Sequence, residues 1–223
     1  MSLVENESKK PSMVGIFSSP IVQLERIKER PLVLIPLLVV LAISIIGSAI
    51  LAFIPDYSSM TELMIQQGSA TEEMIEVLEV MSRVIVLIAG IFTPVLLAIL
   101  PAFIFWLVAK ITGSMVTYKQ LVSLMLYISL IAAIGYLFNA VVVALFNLEP
   151  TVIVTGIGQF FDSMEPMYSF YSLIDIFTIW YVILTALGLR YVAGFNNGLA
   201  WSLPILYSVG SALIGYLSTL AAI

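Results

Sequence analysis

Asp175 has the clearest capacity for chemistry in this sequence, because it is an acid within a long apolar stretch. Between Glu165 and Arg190 it is the one charged residue. A carboxylate in a bilayer costs ~2.5–3.5 kcal/mol on insertion scales, and such residues usually have a partner or a function. By helical rise, Asn139 lies at a similar depth on the preceding span. We therefore expect Asp175 to pair with Asn139, or with Arg83 reaching in from a helix end.

Two roles are open for this buried polar site of Asp175, Asn139 and Arg83. One is an interhelical hydrogen bond that fixes packing. The other is a proton or cation site, which would make the protein a small transporter or channel.

The residues needed for most other chemistry are missing. The 223-residue sequence has no Cys and no His, which removes the thiolate nucleophile, the commonest general base and the commonest metal ligand. It also lacks a GxxxxGK[ST] phosphate loop, a His for a serine-hydrolase triad and a second membrane Asp for a two-aspartate protease. We expect no catalytic residue, no metal site, no cofactor and no enzymatic activity.

Composition predicts the elements that must position these residues. The sequence is 61% hydrophobic and 10% charged, against ~45–50% and ~25% for soluble domains. Each of its long apolar stretches reaches the ~20 residues that a transmembrane helix needs. Short alternating segments, typical of a membrane β-barrel, are not found. The predicted fold class is all-α, a polytopic membrane bundle of five transmembrane helices near residues 32–54, 85–109, 121–146, 169–190 and 199–221.

The distribution of Lys and Arg predicts the orientation of this bundle. Of nine basic residues, only Arg83 falls on the side opposite the N-terminus. By the positive-inside rule, the N-terminus is then cytoplasmic and the C-terminus outside. We expect a multi-pass protein of the bacterial cytoplasmic membrane, whose first partner is the lipid bilayer. The net charge of -5 argues against nucleic acid as a partner.

Residues 1–30 read as a cytoplasmic segment ahead of the transmembrane domain at 31–223. Ser19 suits a helix N-cap, Pro20 suits the first helical position and Pro31 stops the helix. The pattern between them predicts a short amphipathic helix on the inner membrane surface. Its candidate residues are Ile21, Leu24, Arg26, Ile27, Lys28 and Arg30, and Ile16 and Phe17 are expected to reach the headgroups.

The first outer loop is acidic. Ser69 and Glu72 have the spacing of a capping box, and apolar residues recur at helical spacing after them. We expect a helix that starts near Thr71 and continues unbroken into the second span. Its acidic face is either simply solvated or a contact surface for a cationic peptide or a partner's outer domain. The candidate residues are Glu72, Glu73, Glu76 and Glu79.

The second outer loop is nearly apolar at residues 151–161. It is expected either to enter the membrane interface or to cover the bundle.

Small residues recur every four positions on the first and last spans. Such stripes let helices approach closely. We expect packing within the chain in preference to dimerisation, although a homo-oligomer stays open. The candidate packing residues are Ser44, Ser48 and Ala52, and Ser211 and Gly215.

Three segments carry a resemblance to a known family. They are Ser19-Pro20 with Leu24-Glu25-Arg26-Ile27, Tyr118-Lys119-Gln120-Leu121, and Leu173 to Trp180 followed by Leu187-Gly188-Leu189. With these, the sequence resembles bacterial members of the Yip family of five-pass membrane proteins over about residues 14–220.

The resemblance implies an accessory or assembly subunit with no catalysis of its own. The resemblance to bacterial members also implies two partners, an ABC-type exporter and an adaptor subunit. With them the protein would protect the cell against a secreted antimicrobial peptide. Two alternatives stand beside this role. One is a small transporter or channel using Asp175, and the other is a membrane-shaping or trafficking factor using the helix before the first span.

Overall fold

The computed structural model describes residues 10–54, 57, 65, 68, 71–150, 152–163 and 165–222. These residues form an all-helical bundle. In chain order the helices are α1 (Gly15–Ser18), α2 (Pro20–Glu29), α3 (Leu34–Phe53), α4 (Ile75–Ile111), α5 (Tyr118–Phe146), α6 (Tyr168–Tyr171), α7 (Ile176–Tyr191) and α8 (Asn197–Ala222), with 3₁₀ turns at Glu72–Met74 and Ile157–Phe160.

Four of these helices, α3, α4, α5 and α8, are long and apolar enough to cross a membrane. They correspond to the first, second, third and fifth predicted spans. The fourth prediction, a continuous helix over 169–190, is wrong. The chain there forms the single turn α6, a break at 172–175 and then α7, whose 16 residues extend only ~24 Å at 1.5 Å per residue.

Helix α5 is the centre of the bundle, and α3, α4, α7 and α2 all pack against it. Its start is fixed by a capping box. Thr117 Oγ1 accepts from the Gln120 backbone N–H at 3.3 Å, and Gln120 Oε1 accepts from the Thr117 N–H at 2.8 Å. This reciprocal pair satisfies two of the N–H groups that a helix start leaves free.

The helix ends define two poles of the bundle. Lys110 lies at the end of α4, Arg190 at the end of α7 and Lys119 at the start of α5. Helix α2 packs against α5 and α7. We call this the basic end. The opposite pole, where α4 starts with Glu76 and Glu79, is the acidic end.

Helix α2 starts at Pro20, as predicted, but Ser19 makes no side-chain capping bond. Its hydroxyl instead donates to the Gly15 carbonyl at 3.4 Å, because Gly15–Ser18 already forms the helix α1. The position of α2 on the inner membrane surface stays a prediction, but part of its apolar face packs into the bundle. Leu24 and Ile27 have no exposed area and belong to the main hydrophobic core.

The segment before α2 is buried as well. Ile16, expected in the lipid headgroups, has no exposed area. The Phe17 ring meets the edge of Trp180 on α7 with centroids 5.2 Å apart. Tyr127, nine residues into α5, donates to the Pro11 carbonyl at 3.0 Å. Residues 10–29 therefore form a wedge, the N-terminal wedge, set between α5 and α7.

The predicted helix that starts near Thr71 and continues into the second span is present. After the 3₁₀ turn at Glu72–Met74, α4 runs unbroken for 37 residues from Ile75. The predicted cap at Ser69 lies outside the described residues. The small-residue stripe of α3 packs inside the chain: Ser44, Ser48 and Ala52 are buried, and Ser48 Oγ lies 3.0 Å from Tyr136 Oη on α5.

Candidate functional site: a polar cavity at the acidic end

Asp175 is the N-cap of α7 and not a residue within a helix. Its Oδ1 accepts from the backbone N–H groups of Phe177 and Thr178, at 3.0 and 2.9 Å, and from Thr178 Oγ1 at 3.2 Å. The side chain is 6% exposed. A buried carboxylate is stabilised here by the free N–H groups and the positive dipole end of the helix.

Thr155 joins Asp175 to Asn139. The Thr155 hydroxyl donates to Asp175 Oδ2 and accepts from Asn139 Nδ2, the latter at 3.2 Å. Asn139 also donates to the Gly135 carbonyl at 2.9 Å and accepts from the Val154 N–H at 2.8 Å. Asp175 and Asn139 thus belong to one hydrogen-bond network, with a loop hydroxyl between them.

The loop that supplies Thr155 is held by its backbone. Gly156 and Asp175 form an antiparallel bridge, and the Ile157 N–H donates to the Ile174 carbonyl at 3.0 Å. A Cβ at Gly156 would stand 2.9 Å from the Ile174 carbonyl oxygen. This close approach explains the glycine. Of the two expectations for residues 151–161, covering the bundle agrees with this contact, although the Phe160 ring is 77% exposed.

Arg83 does not meet Asp175. Its Nη1 donates to the Ala52 carbonyl at 2.6 Å, and its guanidinium lies 5.1 Å from the centre of the Tyr57 ring and 3.9 Å from Glu79. A cation at the last carbonyls of α3 satisfies groups that a helix end leaves free. Burial raises the pKa of Tyr57, against the opposing effect of the Arg83 charge.

A cavity of about 510 Å³ lies beside the Asp175 network. Its walls come from α3, α4, α5, α7, α8 and the loop at 150–153, and are mostly apolar, as at Leu51 and Val143. Its polar lining includes Asn139, Asp175, Thr178, Tyr181, Tyr207 and Ser211. The Tyr181 hydroxyl is buried and has no hydrogen-bond partner among the described residues.

A smaller cavity of about 190 Å³ lies between α3, α4 and α5. Ser129 lines it, and the Ser129 hydroxyl is also buried with no partner in the described part of the chain. Leu97, Ala132 and Tyr136 line both cavities, so the two adjoin along α5.

Of the other predicted site residues, Ser44 lines the smaller cavity and Ser211 the larger one, and the rest are not among the lining residues. On α2, Ile21, Lys28 and Arg30 are exposed while Leu24 and Ile27 are buried, and Arg26 Nη1 donates to Gln23 at 3.5 Å. At the acidic end, Glu73 and Glu76 are exposed and Glu79 pairs with Arg83, whereas the Glu72 side chain lies outside the described atoms. On α8, Ser211 is exposed, and a Cβ at Gly215 would meet the Ser169 hydroxyl on α6.

The first turns of α4, residues 75–84, are here called the α4 extension. Their exposed face is not only acidic. Val77, Val80 and Met81 are 57%, 54% and 53% exposed, and Val84 is 46% exposed. At 100° per residue these four side chains share one face of the helix. We call this the α4 apolar face. Sequence reasoning attended to the carboxylates and missed it.

Sequence reasoning also missed Thr155 and Tyr181. A polar residue in the nearly apolar loop at 151–161 was a signal for Thr155. The N-cap position of Asp175 could have been predicted from its residue type, since Asp is among the preferred N-cap residues. Across the described part of the chain, no group of three or more Asp and Glu side chains could hold a metal ion.

Comparison with known proteins gives two findings. A model of the Yip1 domain matches residues 14–219. The chain is 33% identical over 203 residues to "Membrane protein YknW" of Bacillus subtilis (strain 168), covering 91% of this chain and 87% of that protein. No solved structure matches.

Proposed function

Because the chain belongs to the Yip1-domain family of membrane proteins, we propose that it is a non-catalytic accessory subunit of a membrane complex. The partner we propose is an ABC-type exporter with its adaptor subunit, acting in protection against a secreted antimicrobial peptide. The α4 extension, which offers a surface beyond the membrane, is the observation that carries this proposal.

The proposed arrangement in the membrane has five crossings. The single turn α6, the break and α7 together make the fourth crossing, since 168–191 is as long as a full span. The basic end lies in the cytoplasm, because Lys110, Lys119 and Arg190 gather there. The acidic end then lies outside the cell membrane, where an adaptor subunit would meet it.

The length of α4 supports a contact outside the membrane. Its 37 residues extend ~55 Å at 1.5 Å per residue, whereas the hydrocarbon core is ~30 Å thick. Lys110 marks the basic end, and Glu79 and Arg83 mark the opposite boundary. The first two turns and a half, with Val77 and Val80, therefore project into water or headgroups.

The chemistry of that projection suits a protein partner. Exposed apolar side chains in water are unfavourable unless something covers them, and patches with a polar rim often mark interaction sites. Here the α4 apolar face provides the centre, and the exposed carboxylates Glu73 and Glu76 provide a charged rim. A partner with an apolar strip flanked by Lys or Arg would match it.

Photo-crosslinking in the native membrane tests this proposal. The sequence contains no Cys, so Val77→Cys creates a unique thiol for a benzophenone label. Ile88 is 50% exposed and lies on the same face of α4 three turns further into the membrane. Ile88→Cys is therefore the matched control. We expect crosslinks to exporter or adaptor subunits from Val77→Cys and not from Ile88→Cys.

Crosslinking of neither subunit by Val77→Cys, with the protein intact in the membrane, would reject the proposed contact. Crosslinks of equal yield from both positions would move the contact into the bilayer. A Glu73→Lys, Glu76→Lys variant adds a second measure, since reversing the rim charge should reduce the yield at Val77.

The two alternatives have less structural support. Four hydrogen bonds from protein donors hold the Asp175 carboxylate, which suits a fixed cap better than a site for passing ions. A membrane-shaping role for α2 would need its apolar face in lipid, yet Leu24 and Ile27 are buried in the bundle.

A further inference from the structure

Ser129 and Tyr181 line the two adjoining cavities, and their hydroxyl oxygens are buried and lack a partner among the described residues. Buried polar groups in folded proteins are nearly always hydrogen-bonded. Polar groups are therefore least fully paired around these cavities, and the larger cavity has room for an occupant.

The charge of the larger cavity selects the sign of such an occupant. Asp175 is the one charged residue in its described lining. No Lys or Arg is available there, because Arg83 is bonded to the end of α3. Buried charges are normally paired with an opposite charge. A cationic group is therefore favoured, and an anion with no cationic group to enter ahead of it is repelled.

The acceptor positions select the kind of cation. Oδ1 of Asp175 receives three hydrogen bonds, whereas Oδ2 receives one, from Thr155. A carboxylate offers about four acceptor positions, two on each oxygen, so Oδ2 retains room for another donor. A primary ammonium, with its N–H donors on one small group, fits this position better than a metal ion, which needs more oxygen ligands.

The size and walls of the cavity select the rest of the molecule. A volume of about 510 Å³ falls within the ~300–1,000 Å³ typical of small-molecule sites. Leu51, Leu97 and Val143 give it apolar walls suited to an alkyl chain. We propose that this cavity binds a primary alkylammonium amphiphile from the bilayer, with the ammonium group against Oδ2 of Asp175. This site goes beyond the accessory role and requires no partner protein.

Equilibrium binding of dodecylamine to the full chain in phosphatidylcholine nanodiscs tests the proposal, with empty nanodiscs subtracted. We expect saturable binding to the unmodified protein. Asp175→Asn keeps an N-cap residue but removes the charge, and should weaken binding about tenfold or more because a charge-assisted bond is lost. Ser129→Ala, in the smaller cavity, is the matched control and should bind normally.

Two further probes check the chemistry. Dodecanol lacks the charge, and dodecyltrimethylammonium lacks N–H donors, so both should bind more weakly than dodecylamine. Equal binding of dodecanol, or equal dodecylamine binding by the protein and Asp175→Asn, overturns the proposal, as does the absence of saturable binding. That last result would mean that the cavity holds water only.

Competition distinguishes the source of the ammonium. If adding phosphatidylethanolamine to the nanodiscs displaces dodecylamine, a lipid headgroup supplies the natural ligand. If it does not, a free long-chain amine is the ligand. Both results support the ammonium site, and neither depends on the outcome of the crosslinking experiment.

Discussion

At the basic end of the bundle, Tyr127 Oη donates to the Pro11 carbonyl, and the apolar side chains around it form the main core. At the acidic end, Tyr181 Oη has no partner among the residues that the structure describes, and a second, smaller cluster of Leu51, Ala140 and Val143 adjoins a cavity. One end is packed to hold the bundle together, and the other keeps space and free hydroxyls. Stability and binding are thus assigned to opposite poles of the same helices.

The largest effect is expected at the core of the basic end. Leu24→Ala should lower the free energy of unfolding by about 2–5 kcal/mol, because Leu24 is fully buried and its truncation leaves a cavity. Unfolding in mixed micelles, followed by circular dichroism, measures it. Ile21→Ala on the same helix, 41% exposed, is the control and should change little. Equal effects of the two would mean that the N-terminal wedge is not docked.

At the acidic end, Asp175→Ala should cost about 2–3 kcal/mol, because α7 loses its cap and Thr155 and Thr178 lose a charged partner. The same unfolding measurement compares it with Asp175→Asn, which should cost about 1 kcal/mol since Asn also caps helices. If both substitutions leave stability unchanged, the Asp175 network does not hold the loop to α7.

Between the two ends, the contact of α3 with α4 depends on Gly90. A Cβ there would overlap the Ser48 side chain, so Gly90→Ala should destabilise by about 1–2 kcal/mol through overpacking. At Gly210 on α8 a Cβ meets nothing within 4 Å. Gly210→Ala should therefore stabilise by up to about 1 kcal/mol through helix propensity. Thermal unfolding midpoints should move in opposite directions, and a shared direction would contradict this account.

The smallest expected change in stability comes from removing one tyrosine hydroxyl at each end, and it tests the difference between the two ends most directly. Tyr127→Phe leaves the Pro11 carbonyl buried without its donor and should cost about 1 kcal/mol. Tyr181→Phe breaks no bond within the protein and should cost about 0 kcal/mol in ligand-free micelles. Denaturant titration of both variants in parallel compares them. A larger loss for Tyr181→Phe would reverse the roles of the two ends.

Long apolar runs bounded by charges predicted α3, α4, α5 and α8 well, because the cost of a charge in lipid defines their ends. The same logic failed at 169–190, since hydropathy averages over residues and does not register that Asp175 caps a new helix. It also did not anticipate that part of the apolar face of α2 packs into the bundle. An amphipathic pattern shows that one face avoids water, but Leu24 and Ile27 satisfy it equally in lipid or in a protein crevice.

The polar site was predictable only in part. Depth along the helices brought Asp175 and Asn139 together, because helical rise is regular. The bridging Thr155 comes from a loop, where no periodicity relates sequence position to depth. The predicted pairing of Arg83 with Asp175 was wrong. It took into account how far the Arg83 side chain can reach, but not the carbonyls at the end of α3 that need a donor.

The Tyr127–Pro11 contact also has a consequence for the order of synthesis. The two residues are 116 positions apart, which a ribosome takes roughly 6–25 s to cover at ~5–20 residues per second. During that time the wedge has emerged but α5 and α7, which receive it, have not. The first part of the chain to be made is therefore among the last to reach its final place, and a chaperone or the membrane surface must hold its apolar side chains meanwhile.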